Sequence, residues 1–277
     1  CPVAGFVERL RDAIARNNSC VCVGLDVDAA RLPASVRRER DPLVAFNRAI
    51  IDATIDLVCA YKPNLAFYEG LGIEGLVALQ KTVEHVAGRV PVVGDAKRGD
   101  IGHTSAAYAR ALFDVFGFDA ATVSPYLGHD SVSPFLEYKE KGVFVLCKTS
   151  NAGSGDFQDL QVGGEPLYEV VARRVVEWNA NGNCGLVVGA TYPEHLRRVR
   201  EIAPDLPFLI PGVGAQAGEL EATVRYGMPL PVINSSRQII FASSGEDFAQ
   251  AARAATDKLR QSIIQIRPAG SQETVCR

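Results

Sequence analysis

The chain has 277 residues, of which 47% are hydrophobic and 22% are charged, and its formal net charge at pH 7 is −3. This composition is typical of a globular protein with a large core, and the slightly acidic balance argues against a protein that binds nucleic acid or a membrane surface. Because no apolar run reaches about 18 residues and the first residues lack a signal-peptide profile, we expect a soluble, cytoplasmic protein without a membrane span.

Short apolar runs alternate with helical patterns from one end of the chain to the other. The predicted elements in chain order are helix 3–17, strand 20–25, helix 43–57, strand 58–61, helix 74–87, strand 90–93, helix 101–116, strand 120–124, helix 131–141, strand 143–147, helix 166–180, strand 185–189, helix 193–202, strand 208–210, helix 216–226, strand 230–234 and helix 246–264. The strands are continuous apolar runs, as is typical of strands covered on both faces. Eight strand–helix units predict an α/β fold, a single (β/α)8 TIM barrel over residues 1–266 whose first helix caps the bottom. Residues 267–277 are predicted to form a tail or linker.

An open, doubly wound sheet is the alternative architecture. Such a sheet usually carries a Gly-x-Gly-x-x-Gly turn after its first strand. Here Asp26-Val27-Asp28 follows the first strand, without glycines, so the closed barrel is favoured.

The seven cysteines are scattered, and no second Cys or His pair lies at zinc-like spacing from Cys20-Val21-Cys22. Four of the seven lie in or beside apolar strand runs, where cysteine behaves as a small hydrophobic residue. We therefore expect reduced thiols and no metal site.

The segment 92–101 brings three ionisable residues, Asp95, Lys97 and Asp100, to the end of the third strand. Residues two apart on a strand point to the same side, so Asp95 and Lys97 should share a face, and Asp100 follows at the turn into the next helix. One opposite charge at about 4 Å is worth roughly 4 kcal/mol to the charged form of an amine at an effective dielectric near 20, before desolvation. The alternative is structural, with Asp100 as a helix cap and a surface ion pair of little energetic weight. In a barrel, strand ends carry the active site, which favours a functional role.

Polar residues also follow the other strands, and their types differ around the predicted barrel. Acids and lysines follow the first three strands, whereas groups suited to phosphate follow the seventh and eighth. Gly212-Val213-Gly214 offers backbone N–H groups at the start of a helix, and Arg237 adds the N–H groups of its guanidinium. Together these donors are suited to bind a phosphate monoester. The alternative is that the two glycines only permit a tight turn. The Gly-rich segment 150–164 is a candidate lid, or simply a surface loop.

Sequence motifs along the chain resemble those of the orotidine 5'-phosphate decarboxylase family. The run Asp95-Ala96-Lys97-Arg98-Gly99-Asp100-Ile101 matches its Asp-x-Lys-x-x-Asp-Ile signature, and Pro211-Gly212-Val213-Gly214-Ala215-Gln216 matches its phosphate loop. Lys62-Pro63-Asn64 and Cys147-Lys148-Thr149-Ser150-Asn151 are similar to the branch with longer loops, which occurs in some bacteria and in fused pyrimidine-synthesis enzymes. The resemblance covers roughly residues 3–265, and only the loop at 28–42 matches loosely.

The resemblance implies a carboxy-lyase without metal or cofactor, which converts orotidine 5'-monophosphate to uridine 5'-monophosphate and CO2 in pyrimidine synthesis. Lys97 would stabilise the C6 carbanion and then protonate it, while Asp95 would face the departing carboxylate. Asp100, with Ile101 and Thr104, would come from the partner subunit, so that a homodimer shares its active sites.

The resemblance also assigns the substrate contacts. Asp26 and Lys62 would hold the ribose hydroxyls, with Lys62 joining the charged network of Asp95 and Lys97. Ser150 would read the pyrimidine. The groups that would hold the phosphate, with Gln216 bridging it to the base, are Pro211, Gly212, Gly214, Gln216, Ser236 and Arg237.

Three other functions fit parts of this pattern. A Schiff-base aldolase is also a barrel with a lysine at a strand end, but it needs a neutral amine, which the flanking acids disfavour. A related branch of barrels uses a similar acidic cluster to bind Mg²⁺ for phosphosugar chemistry. A nucleotide-phosphate sensor without catalytic activity is the non-enzymatic alternative.

Overall fold

The computed structural model describes residues 4–213 and 217–267, with the side chains of residues 217 and 218 left out. Within these residues, eight parallel strands form one sheet. They are β1 (Val21–Gly24), β2 (Ala60–Lys62), β3 (Val93–Arg98), β4 (Ala120–Val123), β5 (Gly142–Lys148), β6 (Cys184–Val188), β7 (Phe208–Ile210) and β8 (Pro231–Ser235). Hydrogen-bonded neighbours run in the order β2, β1, β8, β7, β6, β5, β4 and β3, which is the order of a barrel opened between β2 and β3.

The seam between β2 and β3 closes through isolated bridges and not through a continuous ladder. Tyr61 pairs with Val92, and Asn64 pairs with Asp95. The Asp95 N–H donates to the carbonyl of Pro63 at 3.0 Å. These contacts bring the last residues of β2 and the middle of β3 side by side, and they complete the predicted TIM barrel.

Helices follow the strands around the outside. They are α1 (Phe6–Asn17), α2 (Pro42–Thr54), α3 (Leu65–Glu69), α4 (Gly72–Val86), α5 (Gly102–Arg110), α6 (His129–Leu136), α7 (Gly155–Gln158), α8 (Leu167–Trp178), α9 (Pro193–Ile202), α10 (Ala217–Gly227), α11 (Arg237–Ile240) and α12 (Phe248–Ile266). Among the helices so described, none is both long and apolar enough to cross a membrane.

The first helix caps the bottom of the barrel, as predicted. Phe6 packs edge-on against Phe144 of β5, with ring centroids 5.7 Å apart. The Arg9 guanidinium donates to Asp119, directly before β4, at 2.6 Å. Asn17 donates to two carbonyl groups in the segment before β2. The amphipathic α1 therefore covers the N-terminal ends of the strands, opposite the strand ends that carry the polar residues.

The predicted element types hold, while several boundaries differ for physical reasons. The third strand was expected to end at residue 93, but β3 continues to Arg98 and includes the charged cluster, because Thr122 of β4 binds its backbone. A helix was expected over residues 131–141, beginning around Pro134. The observed helix begins at His129 and ends at Leu136. The Asn183 amide then donates to the carbonyl groups of residues 136, 138 and 141 in the turn that replaces the predicted last helical turns.

The segment 150–164 has more structure than a Gly-rich loop. It contains a 3-10 turn (Ala152–Ser154), the short helix α7 and the first strand of a hairpin, Gln161–Val162, which pairs with Glu165–Pro166. The short helices α3 and α11 were also not predicted, because four or five residues carry too little periodicity to be recognised.

Candidate active site

Two lysines share one buried carboxylate at the end of β3. One Asp95 carboxylate oxygen accepts a hydrogen bond from the Lys62 ammonium at 2.7 Å, and the other accepts from the Lys97 ammonium at 2.6 Å. Lys62 is buried, whereas the side chain of Lys97 is 47% exposed. Neighbouring strands thus supply a chain of alternating charges, and its last member, Lys97, is the one that solvent or a ligand can reach.

A bulge in β3 aims Lys97 into this cluster. Gly94 pairs with Ala121 and Arg98 pairs with Val123, so β3 carries extra residues relative to β4. Lys97 has a φ of 51°, in the left-handed region, which costs a residue with a side chain about 1 kcal/mol. A strained backbone of this kind persists where its surroundings fix it, and such positions cluster at functional sites.

Thr122 of β4 is the residue that fixes the bulge. Its hydroxyl accepts from the N–H groups of Ala96 and Lys97, at 3.0 and 2.9 Å, and donates to the Asp95 carboxylate at 3.0 Å. One buried side chain therefore holds both the backbone of Lys97 and the acid that pairs with its amine.

We expect Thr122→Val to lower kcat by roughly 30-fold, the equivalent of about 2 kcal/mol for a hydrogen bond to a charged group. Valine has nearly the same shape but leaves two backbone N–H groups without this acceptor and the Asp95 carboxylate with one donor fewer. The check is steady-state kinetics beside the matched control Thr256→Val, since the Thr256 hydroxyl donates to a carbonyl of its own helix. A folded Thr122→Val protein with an unchanged kcat would contradict this role.

The electrostatic surroundings of Asp95 and Lys62 favour the charged form of each group. Burial alone raises the pKa of Asp95, but the ammonium groups of Lys62 and Lys97 outweigh it and lower the pKa to about 2. Burial alone lowers the pKa of Lys62, and the carboxylates of Asp95 and Asp26 outweigh it, so that the pKa is raised. At neutral pH, Asp95 is therefore a carboxylate and Lys62 an ammonium.

The pair predicts a pH dependence of stability. Because the folded pKa of Asp95 lies below its ordinary value of 3.8, its contribution is fully present above that value and is lost as the pH falls toward about 2. The shift corresponds to about 2 kcal/mol. Urea unfolding should show that Asp95→Asn destabilises the protein equally from pH 5 to pH 7, and by less at pH 3. An equal penalty at pH 3 would contradict the assignment.

Asp26 and Ser236 meet on neighbouring strands beside this cluster. The Ser236 hydroxyl donates to one Asp26 carboxylate oxygen at 2.7 Å. The other Asp26 oxygen is buried and has no hydrogen-bond partner among the described residues. A methyl group added at Gly24 would lie 2.8 Å from the Ser236 Cβ, so glycine is needed for this close approach. This oxygen lacks the donor that a buried carboxylate oxygen normally has, and a ligand hydroxyl would supply one.

Ser150, two residues after β5, lies between the ends of β6 and β7. A Cβ atom added at Gly189 would lie 2.8 Å from the Ser150 Cβ, and one added at Gly212 would lie 3.4 Å from its hydroxyl oxygen. Gly212 also has a φ of 82°, which favours glycine. The predicted base-reading serine therefore directly neighbours the predicted phosphate loop.

The phosphate end is partly described. Pro211 is half-buried and accepts from the Ala190 N–H at 3.1 Å, and Gly212 is exposed. Arg237 is exposed at the end of β8, which pairs with β7, and its side chain makes no ion pair with any residue that the structure describes. The predicted residues Gly214 and Gln216 lie outside the described residues.

Asp100 and its neighbours do not join the cluster within one chain. The Asp100 carboxylate accepts from the N–H of Ile101 at 2.7 Å, and in residues 4–213 and 217–267 no ion pair connects it to Lys97. Ile101 is 57% exposed, and the N–H of half-buried Thr104 donates to the Ile101 carbonyl. Within the described residues, Asp100 therefore makes no direct contact with the ion pairs of Lys97.

Two polar residues at the strand ends were not among the predicted site residues. Thr122 was hidden in an apolar run, and only its place opposite Asp95 reveals its role. Lys148, the last residue of β5, is buried and bonded to the segment that follows. In the part of the chain that the structure describes, no cluster of three or more His, Cys, Asp or Glu side chains is placed to hold a metal ion.

Comparison with known proteins identifies the family. The sequence profile of the orotidine 5'-phosphate decarboxylase / HUMPS family matches residues 19–255. The chain belongs to this family. A relative from Thermomicrobium roseum named orotidine 5'-phosphate decarboxylase is 52% identical over 270 residues, and the match covers 95% of this chain and 96% of the relative. One with the same name from Ralstonia nicotianae is 51% identical over 268 residues, covering 95% of this chain and 99% of the relative.

Solved structures of the decarboxylase family share the whole fold. The OMP decarboxylase of Leishmania donovani superposes with a TM-score of 0.83 at 42% identity and covers 95% of this chain and 98% of its own. The UMP synthase of Leishmania donovani superposes with a TM-score of 0.84 at 44% identity, and this chain spans 57% of that longer chain. The predicted family, barrel fold and carboxy-lyase class are confirmed.

Proposed function

We propose that this chain decarboxylates orotidine 5'-monophosphate to uridine 5'-monophosphate and CO2, a step of pyrimidine synthesis. The observation that carries the proposal is the Lys62–Asp95–Lys97 chain of charges at the strand ends of a barrel that belongs to the decarboxylase family. The relatives that match nearly the whole chain carry the name of this activity.

In the proposed reaction, Lys97 is the catalytic cation. When the bond between C6 and the carboxylate breaks, CO2 leaves and the electron pair stays on C6. An ammonium group fixed beside C6 stabilises this negative charge as it forms, and such preorganised electrostatics is usually the largest single contribution to catalysis. Lys97 then donates a proton to C6. The 2.6 Å bond to Asp95 supports this role because it holds the amine in place before substrate arrives.

Asp95 would act on the other side of the broken bond. Its pKa is lowered to about 2, so it stays ionised, and it would face the carboxylate that departs. Repulsion between two carboxylates raises the energy of the bound substrate and is relieved when neutral CO2 forms. Lys62 and Thr122 hold Asp95 in this position.

The remaining residues would bind the nucleotide along the strand ends. The free oxygen of Asp26 and the ammonium of Lys62 suit the ribose hydroxyls, and Ser150 suits the pyrimidine. Ser236 and Arg237, with Pro211 and Gly212, would hold the phosphate. Support comes from their strands, because β1, β8 and β7 are neighbours in the sheet. Binding of the phosphate far from C6 supplies energy for positioning the reacting carbon.

We also propose a homodimer in which Asp100, Ile101 and Thr104 complete the site of the partner subunit. Asp100 does not reach its own cluster, and apolar side chains are exposed on the loops beside it. Ile101 is 57% exposed, Tyr126 80% and Leu127 51%. An apolar surface of this kind next to an incomplete charged site is typical of a protein interface.

A spectrophotometric assay with orotidine 5'-monophosphate tests the function directly, with and without a chelator. Loss of orotidylate absorbance that is insensitive to chelator is the expected result. Activity that chelator abolishes and Mg²⁺ restores would instead support the phosphosugar branch, and a borohydride-trapped adduct on Lys97 would support an aldolase. Tight binding of uridine 5'-monophosphate without turnover would support a sensor.

We expect Arg237→Ala to weaken the affinity for uridine 5'-monophosphate by roughly 30- to 150-fold, because a charge-assisted bond to phosphate is worth about 2–3 kcal/mol. The affinity for uridine, which lacks the phosphate, should not change. Isothermal titration of both ligands is the measurement. An equal loss for the two ligands would contradict the assignment of Arg237 to the phosphate.

A further inference from the structure

Lys148 carries a buried ammonium group that the proposed chemistry does not use. The residue is 2% exposed at the end of β5. Its amine donates to the hydroxyl of Ser154 at 3.0 Å and to the carboxylate of Asp159 at 2.8 Å. The rings of Tyr168 and Tyr192 flank it, with centroids 5.9 and 6.0 Å from the nitrogen. The amine is thus enclosed, and its acceptors Ser154 and Asp159 both lie in the segment after β5.

This amine joins a fixed strand to the loop that follows it. The strand side is anchored in the barrel, because Lys148 pairs with Val188 of β6 and its carbonyl accepts from the Gly189 N–H at 2.8 Å. The acceptors belong to residues 149–164, which we call the β5 loop. Asp159 is 45% exposed, so the loop lies on the outer side of the amine.

A second tie lies next to the first. The Thr149 N–H donates to the Gln158 side-chain oxygen at 2.9 Å, and the Gln158 amide donates to the Thr149 hydroxyl at 2.9 Å. Helix α7 is therefore hydrogen-bonded to Thr149, the first residue after β5. Ser150 is the next residue, and it lies against Gly189 and Gly212.

The pairing couples the position of the loop to the burial of a charge. A buried ammonium group that loses its partner is strongly destabilising, whereas an exposed carboxylate such as Asp159 is readily solvated. Lifting the β5 loop would leave Lys148 without the acceptors of Ser154 and Asp159. The buried charge of Lys148 therefore favours the arrangement in which the β5 loop stays in contact with the end of β5.

We propose that Lys148 is a positioning residue that, through Asp159, fixes the β5 loop and with it Ser150 at the base end of the nucleotide site. The part of the proposal that concerns the base rests on the proposed function. Lys148 does not touch the reacting atoms. It sets the geometry of the loop that contacts the base, whereas the phosphate contacts proposed for Ser236 and Arg237 come from the end of β8.

Hydrogen exchange tests the effect of the Lys148–Asp159 ion pair on the β5 loop without any substrate. Lys148→Met removes the charge at similar length, and Asp159→Ala removes the acceptor at a side chain that is 45% exposed. Lys81→Met is the matched control, because Lys81 forms a 2.7 Å surface ion pair with Asp41. We expect amide exchange in residues 150–160 to accelerate about tenfold or more in the first two variants, and not in the control. Unchanged exchange in Asp159→Ala would overturn the proposal.

Ligand binding tests the connection to the base. Both variants should bind uridine 5'-monophosphate roughly tenfold more weakly and ribose 5-phosphate with unchanged affinity, since only the first ligand has a base. The double variant should lose no more than Lys148→Met alone, because the two residues act as one pair. Equal losses for both ligands, or additive losses, would overturn the positioning role.

The two sets of results separate this proposal from the proposed function. If the wild-type chain does not decarboxylate orotidine 5'-monophosphate, the proposed function fails, while faster exchange in the β5 loop of the two variants still supports the tie. If the wild type is active and the variants keep wild-type exchange, kcat and KM, the proposed function stands and the role of Lys148 is overturned.

Discussion

Replacing Lys97 with alanine is expected to reduce kcat by about 10⁴-fold or more, while the affinity for uridine 5'-monophosphate remains measurable. In the proposed mechanism, the substitution removes both the cation beside C6 and the proton donor, and each effect alone is typically worth about 10²- to 10⁴-fold. Binding should persist because the proposed ribose and phosphate contacts come from other strands. The measurements are single-turnover absorbance for the chemistry and isothermal titration for the binding.

Lys81→Ala is the control for this experiment, since it removes a lysine and its ion pair at the surface. That variant should keep wild-type activity. A well-folded Lys97→Ala protein with a kcat within tenfold of wild type would show that the amine is not the catalytic cation. A protein that loses nucleotide binding in parallel with turnover would place Lys97 in substrate binding instead.

Mixing two inactive proteins, Lys97→Ala and Asp100→Ala, is expected to restore about a quarter of the wild-type activity. In a twofold-symmetric dimer with shared sites, half of the dimers formed after random exchange contain both variants, and one of their two sites is intact. The effect arises only if Asp100 acts on the partner's Lys97. Activity and subunit exchange should be followed in the same sample, with exchange measured by native mass spectrometry.

The matched control is a mixture of Lys97→Ala and Asp95→Ala proteins. These two residues form an ion pair within one chain, so that no arrangement of subunits yields an intact site. This mixture should stay inactive even after complete exchange. Recovery in the control, or no recovery in the Lys97→Ala and Asp100→Ala mixture despite complete exchange, would contradict the proposed shared site.

The sequence predicted the barrel because its signals are local and repeated. Continuous apolar runs such as 184–188 bury both faces of a strand, and the polar residues that follow them fall at the strand ends whatever the details of packing. The same logic placed Asp95 and Lys97 together. The contact between Asp26 and Ser236 follows from the same closed barrel, because its first and last strands are neighbours.

Features that depend on contacts between distant residues were not predictable in this way. The bulge at Lys97 needs the hydroxyl of Thr122, a residue inside an apolar strand 25 positions away. The end of α6 depends on the Asn183 amide, which lies far along the chain. The order in the β5 loop depends on a buried amine at Lys148, and a lysine in sequence is normally taken to be exposed.

The seam of the barrel coincides with its chemistry. Asp95 takes part in one of the isolated bridges that join β2 to β3, and its carboxylate accepts a hydrogen bond from Lys62 of β2. The residues that close the barrel at this seam are thus those of the proposed reaction centre. Denaturant or a distant mutation that separates β2 from β3 should abolish activity while most of the barrel remains folded. Loss of turnover should therefore precede loss of the helical circular dichroism signal.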